Sequence, residues 1–449
     1  MHIIQLLLTI VYLFACLFIA NKIRRSIIVF FVILYSSQLI IAELNIYEIY
    51  EISIQTIMFF NANIIFFIFG ALYYENLNKL KFRTQITKFS DIEKNINIKS
   101  FYKVNRLIII QLFFLIVAIY YLNKMSDSIY YFEQGESVRS YYFQTGGLFS
   151  SYTEMFLYQN ITKNYLYISS FIFSYIVLIK TKLNLRDYFL LIISLIFIII
   201  IALTTQGRWD VLPPLLISIF LSFYIRFNSP FTFKKRVYPT FIIFISLFLI
   251  GVGVISLMRI NVDVNFNNFI STINESVFEP LIAYFSLPIA AFDYGLKFIF
   301  NNEGLYFGTA TFAGFEELVF TPFQIINKFH DFGLANADLG SLMTPNFNLN
   351  PTYYWNALFT GLVNYYLDFG FVGIIIYPFF IGYLFSKIID SFLKKSDLFY
   401  LMLLSVFFTL LFNNMFSSSF QSYSNWILIV SLYLYKKIMT LEFKLKKIN

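Results

Sequence analysis

The sequence is short of the residues on which soluble enzymes and secreted scaffolds depend. Charged residues make up only 13% of its 449 residues, and there are two histidines and a single cysteine. One cysteine cannot form an intramolecular disulfide, which excludes a disulfide-stapled domain. So little charge with so much apolar residue also excludes a disordered chain and a coiled coil.

Apolar residues, by contrast, are abundant. Hydrophobic residues account for 59% of the chain, and the mean hydropathy is +0.70. A soluble fold of this size could not bury so much apolar surface. Runs of roughly 20 apolar residues are long enough to cross the hydrocarbon core of a bilayer. The sequence therefore predicts an all-α polytopic membrane protein.

Eleven apolar runs are predicted to span the membrane. They cover residues 2–20, 26–42, 52–74, 107–123, 165–180, 188–205, 211–227, 241–258, 371–389, 397–413 and 425–440. No basic segment precedes the first run, whereas Lys22, Arg24 and Arg25 follow it. This pattern favours an uncleaved first helix with the N-terminus outside and the C-terminus in the cytoplasm.

The charges of the connecting segments support this orientation. The predicted cytoplasmic segments carry 26 of the 33 Lys and Arg residues but only 7 of the 25 Asp and Glu residues. Lys and Arg concentrate on the cytoplasmic side of membrane proteins. The net charge of +8 is therefore explained by topology and by anionic lipid at the inner face, and no nucleic-acid partner is expected.

The predicted spans divide the chain into three parts. These are residues 1–258 with eight spans and an outer loop at 124–164, the large periplasmic or extracellular loop 259–370, and residues 371–449 with three spans and a basic cytoplasmic tail. The large loop contains an apolar stretch from Glu279 to Phe300, interrupted by Pro288, Asp293 and Lys297. We predict an interfacial or re-entrant helix there, because a twelfth crossing would reverse the sidedness of its neighbours.

Motifs for nucleotides and metals are absent from the sequence. There is no Walker A motif, no GxGxxG, no CxxC, no HExxH and no GxSxG. Acidic residues occur in outer loops at Glu43, Glu48 and Glu51 and at Glu316–Glu317, but their spacing does not specify a metal. No cofactor and no metal are therefore expected.

The strongest candidate site residue is Arg208, in the turn between the sixth and seventh predicted spans. Gly207 suits the end of one helix, and Pro213 and Pro214 suit the first turn of the next. Arg208 thus precedes a helix N-terminus near the outer surface, where free N–H groups and a guanidinium favour a phosphate or pyrophosphate. Alternatively, Arg208 pairs with Asp210 and lipid headgroups and only anchors the helix.

Three other polar residues of the outer loops are weaker candidates. Arg259 follows the eighth span, where a cation also stabilises a helix C-terminus without any further role. Arg139 lies beside tyrosines in the smaller outer loop. His330 precedes Asp331 and could act as a base oriented by that carboxylate, although an ordinary surface histidine explains it equally simply.

Four stretches resemble the Wzy oligosaccharide repeat-unit polymerases, which assemble O-antigens and capsules. They are the Gly207–Arg208 turn, Tyr284–Ile289 with Ala291–Asp293, Phe307–Phe312, and Asn350–Thr352 leading to Tyr366–Gly373. Eleven spans and one dominant outer loop also match the family, a GT-C-like polymerase and ligase architecture. One departure is that Ser150, Ile219 and Ile270 stand where some members have a glycine at a fixed distance after an outer-loop arginine.

The resemblance implies glycosyl transfer on the outer face of the bacterial inner membrane. The donor would be a glycan on undecaprenyl pyrophosphate, and the acceptor would be one lipid-linked repeat unit whose hydroxyl attacks the anomeric carbon of the donor. The departing pyrophosphate would be stabilised by arginines, for which Arg208, Arg259 and Arg139 are the candidates. Asp293, Glu316, Glu317 or His330 would accept the hydroxyl proton. A chain-length regulator and a flippase of the same pathway are the implied partners.

Other functions remain open at the level of sequence. An O-antigen ligase shares the architecture and the donor but uses lipid A–core as its acceptor, and the Tyr366–Gly373 stretch favours the polymerase. A flippase or other transporter would place ionisable residues within its spans, whereas the predicted spans are almost free of charge. A structural or assembly protein of the membrane is a further alternative.

Overall fold

The structure, a computed structural model, describes most of the predicted helices and part of the large loop. It describes residues 9–10, 12–14, 16, 26–45, 50–78, 104–129, 148–180, 183–205, 212–228, 279–300, 304–327, 338–339, 342, 347–350, 353–355, 359–395 and 398–440. The predicted spans at 241–258 and, for the most part, at 2–20 lie outside this set.

The described chain is α-helical, with one short pair of strands. The helices are α1 (Ser26–Leu44), α2 (Ile54–Leu77), α3 (Val104–Ile129), α4 (Tyr152–Leu157), α5 (Tyr165–Leu178), α6 (Leu185–Thr205), α7 (Leu212–Asn228), α8 (Glu279–Phe298), α9 (Ala313–Asn327), α10 (Leu362–Phe369), α11 (Phe371–Lys395), α12 (Leu398–Asn413) and α13 (Tyr423–Thr440). A π-helical turn (Tyr158–Thr162) follows α4, and β1 (Phe347–Asn350) pairs antiparallel with β2 (Tyr353–Trp355).

Four of these helices are long and apolar enough to cross a membrane. They are Ile54–Leu77, Asn105–Met125, Leu185–Thr205 and Phe371–Phe392, within α2, α3, α6 and α11. Shorter apolar helices occupy Ile28–Leu44, Leu212–Ser222 and Leu398–Asn413. A chain that devotes its longest helices to uninterrupted apolar sequence has no soluble way to cover them. The protein is therefore an α-helical membrane protein.

The chain forms two compact units, each assembled from separate stretches. Unit 1 comprises residues 1–85, 265–389 and 407–426, and unit 2 comprises residues 86–264, 390–406 and 427–449. In unit 1, α8 packs against α1 and α2 and also contacts β1. In unit 2, α6 packs against α3 and α5, and α7 packs against α5. The three-part division predicted from the sequence stays a prediction.

Glycines set the closest helix approach in unit 1. A Cβ added to Gly70 of α2 would lie 1.9 Å from the carbonyl oxygen of Phe379, and one added to Gly382 of α11 would lie 2.0 Å from that of Phe67. Each glycine therefore admits the backbone of the other helix. Small residues at crossing points are the usual means by which apolar helices associate in lipid, where the hydrophobic effect contributes little between helices.

Polar side chains join the helices of unit 2. The amide of Gln111 on α3 donates to the Ser169 hydroxyl on α5 at 2.8 Å, and the Ser174 and Ser218 hydroxyls of α5 and α7 lie 2.7 Å apart. All four residues are buried. Such pairs are satisfied within the bundle and stabilise helix contacts modestly, by about 0.6 kcal/mol each on average.

Candidate functional site

The structure describes two of the predicted site residues. Asp293 on α8 and Glu316 on α9 both belong to unit 1. The predicted residues Arg139, Arg208, Arg259 and His330 lie outside the described residues, so their proposed roles stay predictions.

Asp293 is fully buried and tied to the beginning of α2. Its Oδ1 accepts hydrogen bonds from the backbone N–H and the hydroxyl of Ser53 and from the Thr56 hydroxyl, at 3.1 Å for the N–H and 2.6 Å for Thr56. Ser53 is also the N-cap of α2. Its Oδ2 lies 2.6 Å from Nζ of Lys297, one turn later on α8. Asp293 therefore fastens α8 to the first turn of α2.

Electrostatics keep this cluster charged. Burial on its own would raise the pKa of Asp293, but the hydrogen bonds from Lys297, Ser53 and Thr56 outweigh it and lower the pKa. Burial would likewise lower the pKa of Lys297, whereas its contacts with Asp293 and the Tyr50 hydroxyl raise it. An aspartate that is buried, ionised and fully engaged is poorly placed to take a proton from a substrate.

Asp368 forms a second buried carboxylate centre, at the end of α10. Its Oδ1 accepts the backbone N–H groups of Gly308 and Ala310 at 2.9 and 2.8 Å. Its Oδ2 accepts the N–H of Thr311 at 3.0 Å and the Tyr377 hydroxyl at 2.8 Å. The side chain is completely buried. Four hydrogen bonds thus hold the 306–311 loop against the junction of α10 and α11.

The 306–311 loop has an unusual backbone where Asp368 holds it. Phe307 has φ 51° and Gly308 has φ 101°. A side chain rarely adopts the first of these values, and the second is readily accessible only to glycine. The backbone N–H groups of Tyr306 and Phe307 also donate to the carbonyl groups of Leu367 and Asp368. Two of the stretches that carry the family resemblance therefore meet in one hydrogen-bonded assembly.

The segment between α12 and α13 completes this end of unit 1. The Asn364 amide donates to the Ala310 carbonyl at 2.6 Å and to the Gln421 side chain at 3.2 Å. The Asn414 amide donates to the Tyr365 hydroxyl at 2.9 Å, and its carbonyl accepts the N–H of Gly361. These buried amides join three chain segments that are far apart in sequence.

An open groove of about 600 Å³ lies beside the 306–311 loop. Its lining is mainly aromatic and consists of Phe307, Gly308, Thr309, Phe312, Phe315, Glu316, Val319, Phe320, Phe369 and Tyr377. Phe307 is 72% exposed at its edge. Glu316 is the one acidic residue of this lining, and its Oε2 has no hydrogen-bond partner among the described residues.

The two described candidates therefore differ in what they can do. The carboxylate of Asp293 is saturated and inaccessible, while the carboxylate of Glu316 borders a groove and keeps unused acceptor capacity. A general base must reach the proton that it abstracts. Of the two, only Glu316 is placed for that chemistry.

Unit 2 contains an ordered part of the smaller outer loop, just before the π-helical turn. Glu154 accepts bonds from the backbone and hydroxyl of Ser150, from the Tyr121 hydroxyl at 3.0 Å and from Lys124 at 3.2 Å. Burial would raise the pKa of Glu154, but these bonds lower it to about 2. The cluster fixes α4 on α3 and leaves no unused acceptor that would suggest catalysis.

Several residues of the site escape sequence analysis. Asp368 lies within the Tyr366–Gly373 stretch but is not singled out there, and Lys297, Tyr377 and Asn414 are likewise unmarked. A charged residue directly before the glycine that opens a long apolar run is the one available signal. Its partners at positions 308–311 lie 57 to 60 residues earlier in the chain, and no local pattern connects them.

Metal binding and similarity to known proteins add no further assignment. Within the part of the chain that the structure describes, no three His, Cys, Asp or Glu side chains stand together in a way that could hold a metal ion. No protein-family model matches the chain, and no curated protein and no solved structure match it either.

Proposed function

We propose that this protein is an oligosaccharide repeat-unit polymerase of the bacterial inner membrane. It transfers a glycan from undecaprenyl pyrophosphate to the terminal sugar of a lipid-linked repeat unit on the outer face. The observation that carries this proposal is a groove beside the outer ends of the spans, with an available carboxylate at Glu316 and a loop held in place by Asp368.

The contacts within unit 1 support the proposed topology of eleven spans with the N-terminus outside. Charge alone assigns residues 43–51, 259–370 and 414–424 to the outer side. In the structure Ser53 at the start of α2 bonds Asp293, and Asn364 bonds both Ala310 and Gln421. Segments that meet at one end of a helical unit belong to the same side of the membrane, in agreement with the charge pattern.

Glu316 provides the base that the reaction requires. The acceptor hydroxyl must lose a proton as it attacks the anomeric carbon of the donor, and a positioned carboxylate contributes typically 10²–10⁴-fold to such a step. The bond to the anomeric carbon breaks with its electron pair on the pyrophosphate oxygen. The proton passes to Glu316 Oε2 and then to solvent.

The leaving pyrophosphate needs positive charge, which we assign to the outer-loop arginines. Arg208, Arg259 and Arg139 are the candidates, since they are among the few cations that the topology places outside. A donor that already carries a good leaving group needs no nucleotide. Fixed guanidinium groups would stabilise the charge that develops during the transfer.

Glu316→Gln tests the proposal directly. Gln has almost the same shape but cannot accept the proton, so we expect polymer formation to fall at least about 100-fold while the protein still inserts. Glycan gels should then show a single repeat unit in place of the ladder. Asp338→Asn, which changes an exposed acid of the same loop, is the matched control and should leave the ladder intact.

Deletion of the gene separates the polymerase from its alternatives. A single repeat unit on the carrier or core supports the polymerase. Loss of surface glycan with accumulation of lipid-linked polymer would identify a ligase, and retention of repeat units on the inner face would identify a flippase. A full-length ladder in both Glu316→Gln and Arg208→Ala would contradict the proposed mechanism.

A further inference from the structure

The groove beside Glu316 has very little hydrogen-bonding capacity for a site that would receive a sugar. The Thr309 hydroxyl donates to the Tyr306 carbonyl at 2.7 Å, and the Tyr377 hydroxyl donates to Asp368 at 2.8 Å. Glu316 alone among the lining side chains has an oxygen without a partner in the described part of the chain. One side of the groove can therefore accept hydroxyl protons.

The remaining walls are apolar and mostly aromatic. Phe312 and Phe315 are both exposed toward the groove, and Val319 follows one turn after Phe315 on α9. Phe307 and Phe369, whose rings lie 6.2 Å apart, border the opposite side. Aromatic faces cover C–H groups well, but a hydroxyl pressed against them loses its water without replacement. Each such hydroxyl lowers affinity about tenfold.

A hydrocarbon chain fits this pattern less well than a sugar does. It would cover the aromatic walls but leave the Glu316 carboxylate in a dry setting without a donor, which is unfavourable for an acidic group. A sugar ring has hydroxyls on one edge for Glu316 and C–H groups for the rings. The ring that suits both walls has a polar edge and an apolar edge.

We propose that the groove binds a 6-deoxyhexose, a pyranose in which a methyl group replaces the hydroxymethyl group, as the terminal sugar of the acceptor. This inference rests on the proposed function for the role of that sugar, since it names the substrate class of the same site. The ring hydroxyls face Glu316 and the open side of the groove. The C5 methyl group packs against Phe312 and Phe315.

Tryptophan fluorescence can measure this preference without turnover. The Trp426 ring lies 5.3 Å from the Phe315 ring and 6.0 Å from the Phe312 ring, and its indole N–H is held by the Phe420 carbonyl. The chain has three tryptophans, so Trp209→Phe with Trp355→Phe leaves Trp426 as the only reporter. The detergent-solubilised full chain is titrated with methyl 6-deoxyglucoside and with methyl glucoside, which differ by one hydroxyl.

We expect the deoxy glycoside to saturate the Trp426 signal at a concentration about tenfold lower than the glucoside. Glu316→Leu should weaken the deoxy glycoside about tenfold, because the acceptor for its hydroxyls is removed. Phe380→Ala changes an exposed ring of α11 outside the groove and should change neither value.

The outcomes separate this inference from the proposed function. Equal binding of the two glycosides, no saturable signal from either, or binding only of farnesyl phosphate would overturn the deoxyhexose site. Each result leaves the polymer loss expected of Glu316→Gln unaffected. Conversely, a deoxy preference in a protein whose deletion leaves the glycan ladder intact would support the sugar site and reject the polymerase.

Discussion

The two fully buried aspartates of unit 1 are held in different ways. Asp293 is neutralised by a cation, Lys297, and its other partners are the backbone and hydroxyl of Ser53 and the hydroxyl of Thr56. Asp368 is held by three backbone N–H groups and a tyrosine hydroxyl. The first arrangement joins two helices through side chains, whereas the second dictates the path of a loop.

This difference teaches which carboxylate a neighbouring substitution can rescue. Ion pairing depends on charge, so removing both partners of the Asp293–Lys297 pair restores neutrality. Backbone N–H groups cannot be removed, and each one left unpaired in the interior carries its full desolvation cost. Asp368 is therefore the less replaceable of the two, and the loop that it holds forms one wall of the groove.

Asp368→Asn should produce the largest effect on stability. The amide NH₂ would face N–H or O–H donors where the carboxylate oxygen accepted two bonds, so we expect a loss of about 3–5 kcal/mol. Thermal unfolding of the detergent-solubilised protein measures it, with Asp338→Asn as the control. An unchanged unfolding temperature would show that the backbone contacts alone hold the loop.

Lys297→Met should have a smaller effect, because the side chain is 41% exposed and solvent screens part of the interaction. Asp293 keeps its bonds to Ser53 and Thr56, so we expect a loss of about 1–2 kcal/mol. The double variant Asp293→Asn with Lys297→Met should recover part of that loss. A double-mutant cycle measures the coupling, and a coupling energy of zero would contradict the ion pair.

Acidification should produce the smallest and most gradual effect. The folded pKa of Asp293 is lowered from its ordinary value of 3.8, so its contribution to stability is fully present above that value. It is lost as pH falls through the lower folded pKa. We expect the stability difference between wild type and Asp293→Asn to be constant near neutral pH and to shrink below about pH 4. A difference that grows on acidification would contradict the sign.

Helices were the most predictable feature of the fold. An apolar run predicted at 52–74 corresponds to α2 at Ile54–Leu77, and a run at 371–389 corresponds to α11 at Phe371–Lys395. The C-terminal end of α11 differs because apolar runs end where the hydrocarbon core ends, whereas backbone hydrogen bonding continues into polar sequence. The strand pair at 347–355 has no apolar alternation and was not anticipated.

The site was predictable only in part, since its geometry depends on distant partners. Asp293 and Glu316 were equivalent candidates in the sequence, and burial together with hydrogen bonding distinguishes them. Nothing next to Asp293 in the sequence indicates that Ser53 saturates it. The convergence of Asn364 with Gln421 likewise depends on tertiary packing.

The clamp at Asp368 also brings the two ends of a long excursion together. Residues 312–367 leave from the loop that Asp368 holds and return to Asp368 itself, so that they begin and end at nearly the same point. Such a segment can be exchanged between related proteins as one block, because the junction remains the same. Diversification of this protein toward new glycans would then require a graft at a single joint, with the membrane scaffold left intact.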